Sequence, residues 1–167
     1  TIYGGGNEAG ITNSTSLIIN GGNIASDIYG GGNYGKVGKD TTFLINDATI
    51  LGSAYAGGNG SLATVKGNTS ITVNGTTTIG SDTSKAPLSG SLFGGGNAAS
   101  TGLESENNST TIVNIAGATI YGNVYGGANT STIYGKSNVY IGKNAILENN
   151  TNLNYDKIGR ASCRERV

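Results

Sequence analysis

Apolar and polar residues alternate along five short segments, which read SLIIN, TFLIN, SITVN, TTIVN and NVYIG in chain order. Side chains of a β-strand alternate between two faces, so this pattern predicts five strands with one buried face. The penultimate residue of each segment is assigned to that face: Ile19, Ile45, Val73, Val113 and Ile141. The residues two places earlier join them: Leu17, Phe43, Ile71, Thr111 and Val139. The residue between each pair is expected to point outward.

A glycine-rich block precedes each of these segments. IYGGGN occurs twice and is followed by the variants AYAGGN, LFGGGN and VYGGAN. The aromatic positions of the blocks are Tyr3, Tyr29, Tyr55, Phe93 and Tyr125, spaced by 26, 26, 38 and 32 residues. The asparagines that close the blocks are Asn7, Asn33, Asn59, Asn97 and Asn129. A recurrent isoleucine follows each strand segment: Ile24, Ile50, Ile79, Ile120 and Ile146. Such self-similarity is the mark of an internal repeat, here with a basic unit of 26 residues.

A unit of this length, with short strand segments separated by glycine and asparagine, fits one coil of a parallel β-solenoid. No segment shows the 3.6-residue period of a helix, and a propeller blade needs about 40–45 residues. The predicted fold class is therefore all-β, a parallel β-helix of about five coils. Equivalent residues of successive coils then lie about 4.8 Å apart. The aromatic, asparagine and isoleucine positions are predicted to form three structural ladders along the stack.

The glycine run and the length changes indicate corners and loops. The middle glycine of the run is never replaced, and we expect it to adopt the left-handed conformation. These glycines are Gly5, Gly31, Gly57, Gly95 and Gly127. Extra residues fall at 80–91 and 98–109, and insertions confined to such places are typical of loops on the rim of a stacked coil.

The end of the chain differs in composition from the rest. The single cysteine, Cys163, and all three arginines lie in the last eight residues. The string IGRASCRERV can be back-translated into a common short-read sequencing adapter, with Lys157 supplying its first bases. We therefore predict that residues 1–156 are a solenoid region truncated at both ends, of metagenomic type, and that residues 157–167 are translated adapter. The alternative is a genuine basic tail that binds nucleic acid or serves as an anchor.

Composition argues against several functional classes. The formal net charge of the whole chain is zero, so nucleic acid is not an expected partner. Residues 157–167 hold four of the ten basic residues and one of the ten acidic ones, which leaves six and nine in residues 1–156. No apolar run reaches the length of a membrane span. The expected partners are neighbouring repeats of the same chain and a host or cell-surface glycan or protein.

The sequence offers little catalytic chemistry. It has no histidine, and its carboxylates do not recur at one register. Glu104 and Glu106 could pair for calcium binding or sugar hydrolysis, but we interpret them as two solvated loop carboxylates. The GGGN block lacks both the following helix of a phosphate loop and the aspartates of a calcium-binding repeat. We therefore predict no catalytic residue, no metal site, no cofactor and no enzymatic activity.

The YGGGN units, each followed by a T-x-I-x-I-N-like strand, resemble the β-strand repeats of large bacterial surface proteins and autotransporter-type adhesins. The resemblance covers residues 1 to about 149. It implies a rigid, glycine-rich fibre that is secreted or held at the cell surface and has a structural or adhesive role. Two alternatives remain open: a fragment of a polysaccharide-active β-helix enzyme, and a phage or S-layer-type assembly protein. If the chain is adhesive, loops 80–91 and 98–109 are the expected binding elements, since loops on rigid scaffolds carry function.

Overall fold

The structure, a computed structural model, describes residues 1–81 and 90–148. In these ranges the chain is an all-β, parallel β-solenoid of about five turns, which confirms the predicted fold class. Five coils begin at Ile2, Ile28, Ala54, Leu92 and Val124, and each lies above the preceding one. The predicted tail at 157–167 and the predicted boundary at residue 156 lie outside the described residues, as do residues 82–89.

The first face of the solenoid consists of two-residue strands at the glycine-rich blocks. They pair in parallel in the order β1 (Ile2–Tyr3), β4 (Ile28–Tyr29), β7 (Ala54–Tyr55), β10 (Leu92–Phe93) and β12 (Val124–Tyr125). The register places every aromatic residue directly above the preceding one. In each strand the first side chain points into the coil and the aromatic side chain points away from it, as period-two alternation requires.

Longer strands form the second face, and short ones form the third. The long row is β2 (Thr15–Asn20), β5 (Thr41–Asn46), β8 (Thr69–Asn74), β11 (Ser109–Ile120) and β13 (Gly135–Leu147). The short row is β3 (Asn23–Ile24), β6 (Thr49–Ile50) and β9 (Thr78–Ile79). Strand β11 pairs with both β8 and β9, so it joins the two rows into one sheet, and β13 extends it.

The corner between these rows is made by residues with positive φ. Gly21 and Gly22 turn the first coil, Asp47 with φ of 51° turns the second, and Gly75 turns the third. Glycine reaches this region without steric cost, and aspartate tolerates it better than most residues. In the fourth and fifth coils the strand continues through this corner instead, as β11 and β13.

Between the first and second faces, each coil contributes one residue to a row of isolated parallel bridges. The row consists of Ile11, Val37, Val65, Thr101 and Ile133. Sequence reasoning missed this row, because a single bridging residue leaves no alternating pattern. It closes the cross-section of the coil and buries Val37, Val65 and Thr101 completely.

The core is a column of aliphatic side chains that point into the coils. Ile28, Ile45, Ile50, Ile71 and Ile79 are all fully buried. Burying each such side chain contributes roughly 1.5–3 kcal/mol, and truncating one to alanine costs about 2–5 kcal/mol. A single coil is only one strand thick, so its inward side chains are buried only by the coils above and below it.

In the fourth coil, the predicted strand register is displaced by two residues. Val113 pairs with Ile71, and Ile115 rather than Val113 pairs with Val73. Thr111 consequently lies in the row of Thr69, one step outside the predicted apolar pair. The asparagine that ends TTIVN suggests the wrong alignment, because the insertion before this segment changes its distance from the glycine-rich block.

The prediction for Ile146 is wrong. Ile24, Ile50, Ile79 and Ile120 are directly paired, but Ile120 pairs with Leu147. The register between β11 and β13 shifts after Ile115, where β13 contains one extra residue. A one-residue shift moves every later side chain to the opposite face, so Ile146 is 52% exposed.

The middle glycine of each run is not left-handed, contrary to the prediction. None of these glycines is among the positive-φ residues. Glycine is required here because the backbones of neighbouring coils lie close together. A Cβ on Gly57 would lie 2.6 Å from the backbone nitrogen of Gly96. A Cβ on Gly31 would lie 2.8 Å from the nitrogen of Gly58. The coils therefore approach each other too closely at this corner to admit a side chain.

The insertion at 98–109 is only partly a loop. Ala99 and Thr101 are buried, and the projecting part is limited to residues 103–108. At the other insertion, Gly80 and Gly90 both have positive φ, and a Cβ on Gly90 would lie 2.0 Å from the Cα of Gly80. Gly80 and Gly90, the described residues that flank this insertion, therefore lie directly beside each other.

Candidate functional site

Five aromatic rings form a continuous stack along the first face. Neighbouring centroids lie 5.1, 4.8, 4.6 and 4.8 Å apart, with interplanar angles of 6–11°. The stack contains the five predicted residues, Tyr3, Tyr29, Tyr55, Phe93 and Tyr125. The three inner rings are at most 6% exposed, although they form a cluster separate from the aliphatic core. Each stacked pair contributes about 0.5–1.5 kcal/mol beyond the area it buries.

Five asparagine side chains form an amide ladder beside the rings. In each pair the Nδ2 atom of the upper residue donates to the Oδ1 atom of the lower one, over 2.7–3.0 Å. The ladder contains the predicted Asn7, Asn33, Asn59, Asn97 and Asn129. Every amide thus donates in the same direction, toward the first coil.

A second amide ladder closes the long strands of the first three coils. Asn46 donates to Asn20 over 2.8 Å, and Asn74 donates to Asn46 over 3.0 Å. Sequence reasoning noticed the asparagine that ends these strands but did not assign it this role. In the fourth coil Ile115 pairs with Val73 and is followed by Ala116 in place of an asparagine, so this ladder ends at the third coil.

A row of buried threonine hydroxyls was also missed. Each donates to the carbonyl of the first residue of the glycine run one coil above, over 2.6–2.8 Å for Thr15, Thr41 and Thr111. The donors Thr15, Thr41, Thr69 and Thr111 are paired with Gly30, Ala56, Gly94 and Gly126. The hydroxyls join the second face to the glycine corner across the interior of the coil. A threonine or serine two residues before the first apolar strand position was the available signal.

Three aspartates stabilise corners between neighbouring coils: Asp27 links the first coil to the second, and Asp40 and Asp47 link the second coil to the third. Each carboxylate accepts a backbone N–H of the coil above, over 2.7 Å for Asp27 and Asp40 and 2.9 Å for Asp47. The donors are Ser53, Asn68 and Thr76. The two hydrogen bonds from Thr76 lower the pKa of Asp47. These acids therefore pair with the backbone of a neighbouring coil.

The hydroxyls of the inner tyrosines lie in a weakly solvated, negatively charged setting. Burial raises the pKa of Tyr29 well above its ordinary value, and the charge of Asp27 adds to the shift. Burial and Asp27 likewise raise the pKa of Tyr55. The Tyr29 hydroxyl donates to Asp27 over 3.3 Å. Both shifts favour the neutral form of the phenol.

A shallow cavity of about 150 Å³ lies along the ring stack. It is lined by Phe93, the one ring without a hydroxyl, by Tyr55 and Tyr125 on either side, and by Ser53, Ser91 and Asn129. Sites for small organic ligands usually measure about 300–1,000 Å³. This cavity therefore has room for a few water molecules and is too small for a typical organic ligand.

The exposed rim is most developed in the fourth coil. In the loop at 103–108, the amides of Glu106 and Asn107 donate to the carbonyl of Leu103 over 3.1 and 2.9 Å. Glu104 and Glu106 are exposed, and no salt bridge or side-chain hydrogen bond joins either of them to another described residue. In the third coil Leu62 is 65% exposed in the turn after Asn59. These features are the irregular part of an otherwise repeating surface.

Within residues 1–81 and 90–148, no group of three or more histidine, cysteine, aspartate or glutamate side chains could hold a metal ion. The same residues include no helix of the length and apolar composition needed to cross a bilayer.

No protein-family model matches the sequence, and no curated protein or solved structure is significantly similar to the chain.

Proposed function

We propose that this chain is a structural and adhesive repeat region of a bacterial protein that is secreted or held at the cell surface, and that it is not an enzyme. The ladders supply a stiff scaffold, and the rim supplies the variable surface that contacts a glycan or a protein. The resemblance of the YGGGN units to surface-protein repeats agrees with this proposal.

The observation that carries the proposal is the continuity of the ladders. Aromatic stacking and amide hydrogen bonds connect every coil to the next from Tyr3 to Tyr125 and from Asn7 to Asn129. The register of the aromatic and asparagine positions is the same in coils of different length. A rod that tolerates such insertions can present different loops without altering its core.

Adhesion can be tested with the chain immobilised on beads and presented to arrays of glycans and extracellular matrix proteins. In the informative variant, residues 102–110 are replaced by the Lys66–Asn68 connection, which joins the equivalent positions Val65 and Thr69 of the coil below. We expect this exchange to preserve the β-sheet circular dichroism spectrum and the melting temperature while abolishing binding to the captured ligand.

A matched control is Ile18→Thr, which introduces on an exposed strand position the residue that the third coil carries at the same register. This control should bind like the parent chain. Absence of binding by the parent chain to any glycan or protein would remove the adhesive part of the proposal. Hydrolysis of a polysaccharide by the purified chain would overturn the non-enzymatic part.

A further inference from the structure

We infer that Asn74 and Gly75 form a site of spontaneous covalent modification, at which the side-chain amide of Asn74 is lost as ammonia and an aspartate or isoaspartate residue is formed. The site lies in the third coil, whose long strand pairs with the strands of the second and fourth coils on its two sides. The reaction consumes only water, and it is independent of the adhesive role proposed above.

The reaction passes through a five-membered succinimide ring. The deprotonated backbone nitrogen of the residue after the asparagine attacks the side-chain carbonyl carbon, and the bond from that carbon to the amide nitrogen breaks to release ammonia. Water then opens the ring at one of its two carbonyls, which gives aspartate or isoaspartate. A following glycine favours ring closure, because it has no Cβ to obstruct the attack and its backbone is the least restricted.

The sequence contains such asparagine–glycine pairs at Asn20–Gly21, Asn59–Gly60 and Asn74–Gly75. In the first pair the attacking group is already engaged. The N–H of Gly21 donates to the carbonyl of Asn46 over 2.7 Å, so ring closure at Asn20 must first break this hydrogen bond. The structure therefore protects this pair through its nucleophile.

The second pair is protected through its side chain. The amide of Asn59 donates to Asn33 over 2.9 Å and accepts from Asn97 over 3.0 Å, so both of its polar atoms are held in the amide ladder. The ring of Tyr34 also lies against Gly60, where an added Cβ would be 2.5 Å from the Cε1 atom. Rotation of the Asn59 side chain toward the backbone would break two hydrogen bonds.

The third pair has neither form of protection. Among the described residues, none accepts a hydrogen bond from the Gly75 N–H, although the N–H groups of the next three residues are all hydrogen-bonded. Asn74 donates to Asn46 over 3.0 Å, but no described side chain donates to its Oδ1 atom, since this ladder ends at the third coil. Gly75 is exposed, so water reaches the ring. Asn74 is therefore the asparagine that the fold leaves reactive.

The product weakens the contact between the second and third coils. An aspartate has no N–H to donate to Asn46, so two acceptor oxygens would face each other where the ladder now has a hydrogen bond. Its charge would lie close to the carboxylate of Asp47, which lies against Gly75. The isoaspartate product also lengthens the backbone directly after β8, where the Thr77 hydroxyl donates to the Asn74 carbonyl over 2.7 Å.

The test incubates the folded chain in mildly alkaline buffer and follows the three pairs by peptide mapping with mass spectrometry. We expect Asn74 to be converted at least about fivefold faster than Asn20 and Asn59, the factor that corresponds to one protecting hydrogen bond. The matched control is the same chain in denaturant, where loss of the hydrogen bonds should bring the three rates together. Conversion of Asn20 or Asn59 as fast as Asn74 in the folded chain would overturn the inference. So would an unchanged ratio of rates in denaturant, because the local sequence would then set the preference.

Two variants test the structural consequence. Asn74→Asp reproduces one product, and Asn74→Gln blocks the reaction because glutamine would have to close a six-membered ring. The incubated parent chain and Asn74→Asp should both melt below the fresh parent chain, whereas Asn74→Gln should have the same melting temperature before and after incubation. A parent chain that keeps its melting temperature after conversion at Asn74 would refute the weakened contact. An equal loss in Asn74→Gln would place the reactive site elsewhere and overturn the inference.

Discussion

Replacing Thr101 by valine should stabilise the solenoid. Thr101 is fully buried in the row of isolated bridges, between Val65 below and Ile133 above. Its Oγ1 atom is the one buried side-chain nitrogen or oxygen in the described residues that lacks a hydrogen-bond partner. Valine keeps the branched shape of threonine and removes only the polarity of the hydroxyl.

The magnitude follows from the cost of an unsatisfied buried group, which is about 1–3 kcal/mol. The methyl group of valine is larger than the hydroxyl that it replaces, and accommodating it in the packed row offsets part of this gain. We therefore expect an increase in the free energy of unfolding of about 1 kcal/mol, which corresponds to a rise in melting temperature of roughly 2–4 °C for a chain of this size.

The assay is chemical unfolding followed by circular dichroism, with Thr41→Val as the matched control. Thr41 is equally buried, but its hydroxyl donates to the carbonyl of Ala56 over 2.6 Å. The same substitution there leaves that carbonyl without this donor and should cost about 1–2 kcal/mol. The two variants thus differ in the sign of their effect, although the chemical change is identical.

The reasoning is refuted if Thr101→Val is neutral or destabilising while the denaturant dependence of unfolding is unchanged. That outcome would mean that the hydroxyl has a partner in solution. Equal destabilisation by both substitutions would mean that packing of the threonine row, and not hydrogen bonding, sets its contribution.

Three further predictions concern the ladders and the glycine corner. Gly57→Ala should destabilise the chain by about 1–3 kcal/mol in denaturant unfolding, because its Cβ would collide with the next coil. Gly127→Ala should be nearly neutral, since its Cβ would meet no atom closer than 3.8 Å. Equal effects of the two substitutions would contradict close approach as the reason for glycine. The contribution of the buried Tyr29 phenol to the free energy of unfolding should be fully present below the unfolded tyrosine pKa of 10.0 and should fall as pH rises toward the higher folded pKa. Tyr29→Phe should therefore raise the pH midpoint of alkaline unfolding. An unchanged midpoint would exclude burial of that phenol. Asn59→Ala removes two hydrogen bonds of the amide ladder, whereas Asn129→Ala removes one. Asn59→Ala should therefore lower the melting temperature more. The reverse order would argue against a cooperative ladder.

The fold was predictable because the same sequence block recurs along the chain. Identical blocks such as IYGGGN at Ile2 and Ile28 predict equivalent positions, and equivalent positions in a 26-residue unit predict stacking. The alternation in strands such as Thr41–Asn46 then separates the inner residues from the outer ones. Local pattern and global architecture agree here, so few inferences were needed.

The errors arose where the repeat lost its spacing. Before Thr111 an insertion obscured the register, and after Ile115 one extra residue in the partner strand moved Ile146 to the surface. The bridge row that contains Thr101 produces no alternating sequence pattern, because each coil contributes only one residue to it. Contacts between coils, such as the short distances at Gly57, depend on three-dimensional stacking that composition does not encode.

The common direction of the amide hydrogen bonds gives the solenoid an electrical axis. Backbone dipoles alternate along a strand and largely cancel, but the side-chain amides of the ladder from Asn7 to Asn129 all point the same way. Their moments add coil by coil, as those of peptide units do in a helix. The carbonyl pole lies at the fifth coil, where Lys136 and Lys143 are exposed, and the amino pole lies at the first. A longer stack of such coils would carry a proportionally larger dipole, so its two ends would differ in their attraction for ions even if the net charge of the coils were zero.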